Sequence, residues 1–359
     1  MRLKVHKFDY CEEWKKLLTP EIVSCLTQIH EFKGEQTLFV RAKADILTGL
    51  AEIAKIQSME ASNKMEGIYT SEEHLRALGK DTARPKTRDE REIVGYRDVL
   101  NMIHENHEYL PPKPPIILQL HRDLYKFEGF DAGGKYKTEG AIIEIEEYLG
   151  NKYVKFQPVQ AWEIAEIMDE LCKSFEEASA NEQVDSLILI PMFILDFLCI
   201  RPFKDGNGQM SRLLIVLLLE RAGYIVGKYI SIEQLIENTK AEYYKSLQQS
   251  SENWNGNKND YEPFVRYMLG IIIAAYKDFS SKVSLLTTAG MSKPDQVKEI
   301  IRTTSGPITK SEILEKCPNI SQITVQRALV DLTKSGVIKK IGGGRYTKYI
   351  WNEGLEKVK

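Results

Sequence analysis

The chain has 359 residues, of which 43% are hydrophobic and 28% charged, with a formal net charge of −2. This length predicts two or three domains with ample core, and the near-neutral balance excludes a globally basic nucleic-acid coat. The longest apolar runs, Leu213–Leu219 and Leu269–Tyr276, are far too short for a membrane span, so no membrane role is expected.

Five scattered cysteines (Cys11, Cys25, Cys172, Cys199, Cys317) form no Cys-x-x-Cys pair. An odd, unpaired set fits reduced thiols rather than a disulfide framework. The N-terminus carries a charge every few residues and no apolar signal core, so the expected location is cytoplasmic. Residues 1–34 read as a lead-in with helical fragments, such as Pro20 to Phe32. From Gln36 to Ile56, the residues Leu38, Ala42, Ile46, Leu50 and Ile53 recur at helical spacing. In Ala61–Ile68, Ser62 and Glu66 are four apart and share one helix face, with Gly67 placed to end the helix. Taken alone, this is a helix end with an exposed glutamate.

Thr87 to Asn106 is another amphipathic helix; the break Pro111-Pro112-Lys113-Pro114-Pro115 follows, and Ile116 to Tyr125 resumes helix. Gly133–Lys137 and Ala141–Ile145 combine turn residues with alternation and predict a short β-hairpin. Val159 to Ala178 carries an apolar stripe through Trp162, Ala165, Ile167, Met168 and Leu171. Leu187 to Ile200 is apolar nearly all round, the pattern of a buried central helix.

The next stretch is Arg201-Pro202-Phe203-Lys204-Asp205-Gly206-Asn207-Gly208-Gln209-Met210-Ser211-Arg212, which leads straight into Leu213–Leu219. Gly-Asn-Gly sits poorly inside a helix, so the spacing predicts helix, tight loop, helix. Unpaired backbone donors and the positive end of the second helix then converge on an anion site. Asp205 offers a carboxylate to a hard cation, and Arg212, one turn in, can reach back to a phosphate. These parts describe a site for a polyphosphate with Mg²⁺.

The stretch resembles the signature of the Fic (Fido-domain) family, His-x-Phe-x-Asp/Glu-Gly-Asn-Gly-Arg-x-x-Arg. Phe203, Asp205, Gly206, Asn207, Gly208 and Arg212 match; Arg201 replaces the histidine and Gln209 the first arginine. The resemblance implies a mainly α-helical Fic-type domain, with ATP and Mg²⁺ as substrate and metal and AMP transfer to a protein hydroxyl as the activity. Asp205 would hold the metal, Gly206, Asn207, Gly208 and Gln209 would line the nucleotide, and Arg212 would take the γ-phosphate. The family histidine is the general base, and arginine cannot be deprotonated in a protein. The last histidine of the chain is His121, eighty residues before the loop; a histidine from the N-terminal third could fold in, but nothing in the sequence indicates it.

The resemblance also gives three earlier and later stretches a role. Self-inhibited members carry Ser/Thr-x-x-x-Glu-Gly/Asn, which Ser62, Glu66 and Gly67 match, so Glu66 would pair with Arg212 and block the γ-phosphate. Thr138, Glu139, Gly140, Ala141, Ile142 and Ile143 would form the flap that pairs with a target's backbone, with Lys137 where that flap has arginine. Tyr243 and Tyr244, on a helix expected from Glu233 to Gln249, would lie near the adenine; by themselves two such tyrosines read as core and rim.

Tyr261 to Phe279 is a last apolar helix of this part. The predicted organisation is a lead-in over 1–34, a Fic-like domain over 35–280, a linker over 281–292 and a separate C-terminal domain over 293–359. That last region holds 13 Lys plus Arg against 7 Asp plus Glu, a balance of 13 − 7 = +6. Pro294–Thr303, Ser311–Lys316 behind a Thr309–Glu312 capping box, and Gln322–Lys334 behind Ser321 predict three helices. Val337–Ile341, a triple-glycine tip and Arg345–Trp351 predict a ribbon. Together they resemble a winged helix-turn-helix. Gln322, Thr324, Gln326 and Arg327 would face DNA from the recognition helix, and Lys339, Lys340, Arg345 and Lys348 from the wing. Protein contact or homodimerisation is the other use of such a domain.

Two functions of different class stay open. One is an AMP transferase acting on a target protein or on itself, restrained by Glu66 and weakened by Arg201. The other is a catalytically silent, ATP-sensing transcriptional regulator that acts through the winged helix. Removal of AMP, or transfer of another phosphate-linked group, is a third.

Overall fold

The computed structural model describes residues 6–42, 44–129, 132–139, 143–146, 152–156, 159–181, 183–288, 291–304, 306–317, 320–344 and 347–352. It is mainly helical. A one-turn helix α1 (Tyr10–Glu13) precedes α2 (Pro20–Ala42), α3 (Ala44–Met65), α4 (Glu72–Gly79), α5 (Arg88–Asn106) and α6 (Pro114–Leu124). The ribbon β1 (Ile143–Glu146) and β2 (Lys152–Phe156) leads to α7 (Ile164–Ser179), α8 (Ser186–Ile200) and α9 (Asn207–Arg221). Then come α10 (Ile232–Asn238), α11 (Lys240–Ser251) and α12 (Glu262–Thr288).

Met1–Ile29 and Leu50–Ala275 form one compact unit, and His30–Gly49 and Tyr276–Lys359 form the other. In the first unit, α8 is the central helix that its composition predicted, with all residues from Leu187 to Ile200 except Leu198 buried, and it packs on α7 and α9. Asp185 caps its start by accepting from the Leu187 N–H at 2.8 Å. A capping box between Thr87 and Glu90 opens α5, and Pro114 at the first turn opens α6. These helices fix both sides of the Arg201–Arg212 loop.

Three expectations change here. Gly133–Lys137 is not the first arm of the hairpin; β1 pairs with β2 instead, antiparallel, with Ile145 opposite Tyr153. The backbone of 133–137 is occupied elsewhere. The Gly134 N–H donates to the His121 ring at 2.9 Å, and the Lys137 N–H donates to the Pro202 carbonyl at 2.9 Å. The helix expected from Glu233 to Gln249 is broken at Thr239, whose hydroxyl turns back to the Leu235 carbonyl at 2.8 Å. The linker expected from residue 281 is helical to Thr288, because buried Val283 continues the face of Tyr276 and Phe279.

The N-terminal lead-in is anchored in this core. Asp196 of α8 is fully buried and accepts from Tyr10 Oη (2.6 Å), Trp254 Nε1 (2.6 Å) and Tyr261 Oη (2.9 Å). Its desolvation raises the carboxyl to about 7. The His6 ring stacks on Trp254 at 4.1 Å, and its Nδ1 donates to the Trp254 carbonyl at 2.7 Å. Burial lowers that imidazole to about 4. The two shifts act oppositely on stability. The raised carboxyl removes stability as pH climbs from its usual 3.8 to about 7, whereas the lowered imidazole adds it between about 4 and the usual 6.5. His6→Asn should therefore cost more stability at pH 6.5 than at pH 4.5, measured by urea unfolding. An offset equal at every pH would mean that His6 is not buried neutral.

The second unit is built on α13 (Lys293–Thr303), β3 (Ile308–Thr309), α14 (Lys310–Lys316), α15 (Gln322–Lys334), β4 (Ile338–Ile341) and β5 (Lys348–Trp351). The three strands form one antiparallel sheet in the order β3-β5-β4, with Lys340 opposite Tyr349. Val297, Ile301, Ile313, Val325, Leu329 and Ile338 form its core. Residues 30–49, expected in the lead-in up to 34 and in the Fic-like domain from 35, belong to this unit; Phe32 stacks on Tyr276 at 5.8 Å.

Candidate functional site

α8 stops at Arg201, which takes φ 47, ψ 65. A left-handed conformation costs a side-chain-bearing residue about 1–2 kcal/mol, so the surroundings must hold it. The Arg201 N–H donates to the Phe197 carbonyl at 3.0 Å, and the next carbonyl, that of Pro202, accepts from Lys137. The Lys137 amine is buried over the Ile200 carbonyl at 3.5 Å. Burial, and secondly the Arg201 charge, lowers this amine to about 8.

The loop is closed by Asn207, whose Oδ1 accepts from the Phe203 N–H (3.0 Å) and whose Nδ2 donates to the Phe203 carbonyl (2.8 Å). Gly206, at φ 76, lets α9 begin under the Tyr125 hydroxyl, which a Cβ would meet at 2.7 Å. The first N–H groups of α9 have no carbonyl within the helix to meet, so this end attracts anions. An anion of the chain itself lies there. The Glu66 carboxylate rests against Gly208, where any Cβ would collide with Oε1.

Arg212 holds that carboxylate through Nη2 at 2.7 Å. The same guanidinium donates from Nε to Ser62 Oγ (2.8 Å) and from Nη2 to the Ser62 carbonyl (3.0 Å). Arg212 is 2% exposed and Glu66 33%. Ser62, Glu66 and Arg212 are thus brought together from helices about 150 residues apart. Gly67, at φ 77, follows the end of α3 as expected.

Gln209 faces inward. It is buried, donates to Asn63 Oδ1 at 2.9 Å, and accepts a long bond from the Tyr125 hydroxyl at 3.5 Å. Asn63 in turn donates to the Met59 carbonyl at 2.6 Å. The residue in the place of the signature's first arginine is therefore spent on α3, a contact the sequence did not indicate.

Asp205 is exposed on the loop, and its backbone carbonyl accepts from His121 Nε2 at 3.1 Å. His121 thus does return to the motif, contrary to expectation. Its ring stacks on Phe203 at 3.7 Å with an interplanar angle of 3°, and it is only 3% exposed. Both ring nitrogens are occupied, and burial lowers it to about 4. It cannot serve as the missing base. A signal was present: His121 lies on the buried stripe Ile117, Leu120, Leu124 of α6, and a buried polar group needs partners.

Among the described residues there is no group of three or more His, Cys, Asp or Glu able to hold a metal ion. One exposed carboxylate beside a helix N-terminus nevertheless fits Mg²⁺, which usually takes one or two carboxylates and completes its shell with phosphates and water. Tyr243 is buried among Tyr244, Phe264 and Tyr267, whereas Tyr244 is 44% exposed. Partial burial raises the Tyr244 phenol, and the charge of Glu66 adds to the shift. Of the expected flap, Thr138 and Glu139 are exposed and Ile143 starts β1; Gly140, Ala141 and Ile142 lie outside the described residues. In the second unit, Gln322, Gln326 and Arg327 are exposed on α15, as are Lys339 and Lys340 on β4 and Lys348 on β5. Arg345 lies outside the described residues.

Residues 111–219 match the model of the Fic/DOC family. The chain is 27% identical over 187 residues to Protein adenylyltransferase fic-1 of Caenorhabditis briggsae, covering 50% of this chain and 32% of that protein. It is 29% identical over 195 residues to Protein adenylyltransferase Fic of Drosophila mojavensis, covering 53% and 32%. The chain thus spans about a third of the length of these curated relatives. A solved Fic family protein from Desulfovibrio desulfuricans G20 is similar with a TM-score of 0.62 at 21% identity, covering 94% of this chain and 97% of that one. A Fic domain containing signaling protein from Bacteroides thetaiotaomicron VPI-5482 is similar with a TM-score of 0.60 at 19% identity, covering 74% and 100%. The fold is that of Fic-family structures.

Proposed function

With a Fic/DOC domain match over residues 111–219 as the premise, we propose that this protein binds Mg²⁺-ATP at the Arg201–Arg212 loop and is restrained there by Glu66. AMP transfer to a protein hydroxyl, on a target or on itself, is weak or absent in the wild type. The observation that carries this reading is the Glu66 carboxylate lying on the N-terminus of α9 in the grip of Arg212. A carboxylate there occupies the place that attracts phosphate, and it engages the guanidinium that would bind one.

In this reading Gly206, Asn207 and Gly208 receive phosphate oxygens, Asp205 holds Mg²⁺, and the exposed Tyr244 ring borders the base. Bound Mg²⁺ neutralises charge on the phosphate oxygens. Transfer forms a bond from the hydroxyl oxygen to the α-phosphorus, breaks the bond to pyrophosphate, and releases the hydroxyl proton. Arg201 cannot accept that proton. His121 is committed on both nitrogens and cannot stand in.

Glu66→Gly should tighten Mg²⁺-ATP binding about tenfold, the worth of one charge-assisted hydrogen bond freed for phosphate. Arg212 keeps its two bonds to Ser62 in that variant, so the pocket should stay formed. Calorimetric titration checks this, beside Arg212→Ala and Asp205→Ala, which should weaken binding. Equal affinity in wild type and Glu66→Gly would refute the restraint.

A second reading is favoured by Gln209. Its amide holds α3 through Asn63 and offers no fork to a phosphate, which suits a site that senses ATP without spending it. The output would then be the C-terminal domain, read as a winged helix that contacts DNA through Gln322, Gln326, Arg327, Lys339, Lys340 and Arg345.

A further inference from the structure

We propose that His121 is a positioning residue for the metal-binding loop: its ring ties the carbonyl of Asp205 to the turn at Gly134 and so fixes where the Asp205 carboxylate stands. This rests on the reading of Asp205 as the Mg²⁺ ligand. Asp205 is exposed on a loop between two helices, and its carbonyl accepts from His121 Nε2 on α6. An exposed carboxylate on a mobile carbonyl would search many positions; one whose own peptide is pinned searches few. Pre-organisation of that kind lowers the cost of ordering the loop on binding.

The pin is itself held in place. His121 sits on the buried face of α6, and its ring lies flat on Phe203 at 3.7 Å, which restrains its rotation. Nε2 donates to Asp205, and Nδ1 on the opposite edge accepts from the Gly134 N–H at 2.9 Å. Because Nδ1 is an acceptor here, Nε2 must carry the proton, and a single tautomer satisfies both partners. Gly133 packs its backbone against the His121 carbonyl, where a Cβ would come within 2.5 Å. The segment leading to Thr138 and Glu139 is thereby fixed to the same ring as the loop. Rotating the ring or losing either nitrogen would release the Asp205 end of the loop from the Gly134 turn, although the Lys137 N–H still holds the Pro202 carbonyl.

The two nitrogens can be imitated separately. His121→Gln places an amide N–H near the position of Nε2, His121→Asn places an acceptor near that of Nδ1, and His121→Phe keeps the stack and loses both. The full-length protein is titrated calorimetrically with ATP, once with excess Mg²⁺ and once with EDTA. Wild type should bind more tightly with Mg²⁺. His121→Phe and His121→Asn should lose about five- to tenfold in the Mg²⁺ titration, the effect of one lost hydrogen bond on the loop, with the EDTA value unchanged. His121→Gln should retain most of the Mg²⁺ gain. In an Asp205→Ala background all three substitutions should be without effect on the metal dependence.

Equal losses with and without Mg²⁺ would show His121 to be a packing residue only and would overturn the proposal. So would a full Mg²⁺ gain in His121→Phe, or identical behaviour of the Gln and Asn variants; this last comparison also decides the matter if the Phe variant does not fold. A wild type whose ATP binding ignores Mg²⁺ would overturn the metal reading of Asp205 together with this proposal. A normal wild-type gain that survives His121→Phe would overturn this proposal alone.

Discussion

Combining Arg201→His, Gln209→Arg and Glu66→Gly should give a protein that labels itself or a co-incubated protein with AMP, while the wild type does so about 10²–10⁴-fold more slowly, the usual worth of one acid–base group. Arg201→His places a group that titrates near neutral pH at the end of α8. Its backbone is held in the left-handed region by the Phe197, Pro202 and Lys137 contacts, and histidine tolerates that region. Gln209→Arg must leave the buried contact with Asn63 and reach the mouth, where it restores a two-point grip on the triphosphate. Glu66→Gly clears the carboxylate from Gly208. Transfer of labelled AMP from ATP is the measurement, with each single variant run in parallel. Wild-type transfer at the rate of the triple variant would place the base elsewhere. A triple variant that binds ATP and never transfers AMP would favour the sensor over the enzyme.

The full-length protein should bind DNA with steep salt dependence, and replacing Lys339, Lys340 and Lys348 by Gln should weaken it by roughly 10–10³-fold at low salt. All three lysines are exposed on β4 and β5. Each phosphate contact adds about 0.9 to the slope of log affinity against log salt, so three lost contacts should lower that slope by about 2–3. Gln326→Ala on α15 should instead change affinity by site sequence, with the slope unchanged. Fluorescence anisotropy across a salt series measures both quantities. Absent binding at low salt would leave protein contact or homodimerisation as the use of this domain. Loss of affinity without loss of slope would move the phosphate contacts off the ribbon.

Composition and local pattern alone determined a good deal of this protein. The run Leu187–Ile200, apolar but for Asp196, read as a buried helix because it offers no polar face to water. Gly206-Asn207-Gly208 read as a tight loop opening a helix, because glycine and asparagine sit poorly inside one, and α9 does start at Asn207 behind a left-handed Gly206. Caps at Thr309 and Ser321 marked helix starts through bonds that span three residues, so no tertiary contact was needed to see them. The pairing of Glu66 with Arg212 was legible only by resemblance to a known motif, since 146 positions separate the two.

Whatever depended on contacts between distant segments was left to the tertiary structure. The break at Thr239, the helix that continues to Thr288 and the assignment of residues 30–49 to the second unit are all packing outcomes in which local propensity is nearly neutral. Gly133–Lys137 has a hairpin's residues, yet its N–H groups are claimed by His121 and Pro202 before a strand can pair with them. Gln209 reads as a damaged phosphate contact until Asn63 appears opposite it. His121 shows the same limit most clearly. A lone histidine on an apolar helix face announces that it must find partners, because a buried imidazole without them is costly. Which partners it finds, the carbonyl of Asp205 and the N–H of Gly134, is decided only when α6 packs beneath the loop.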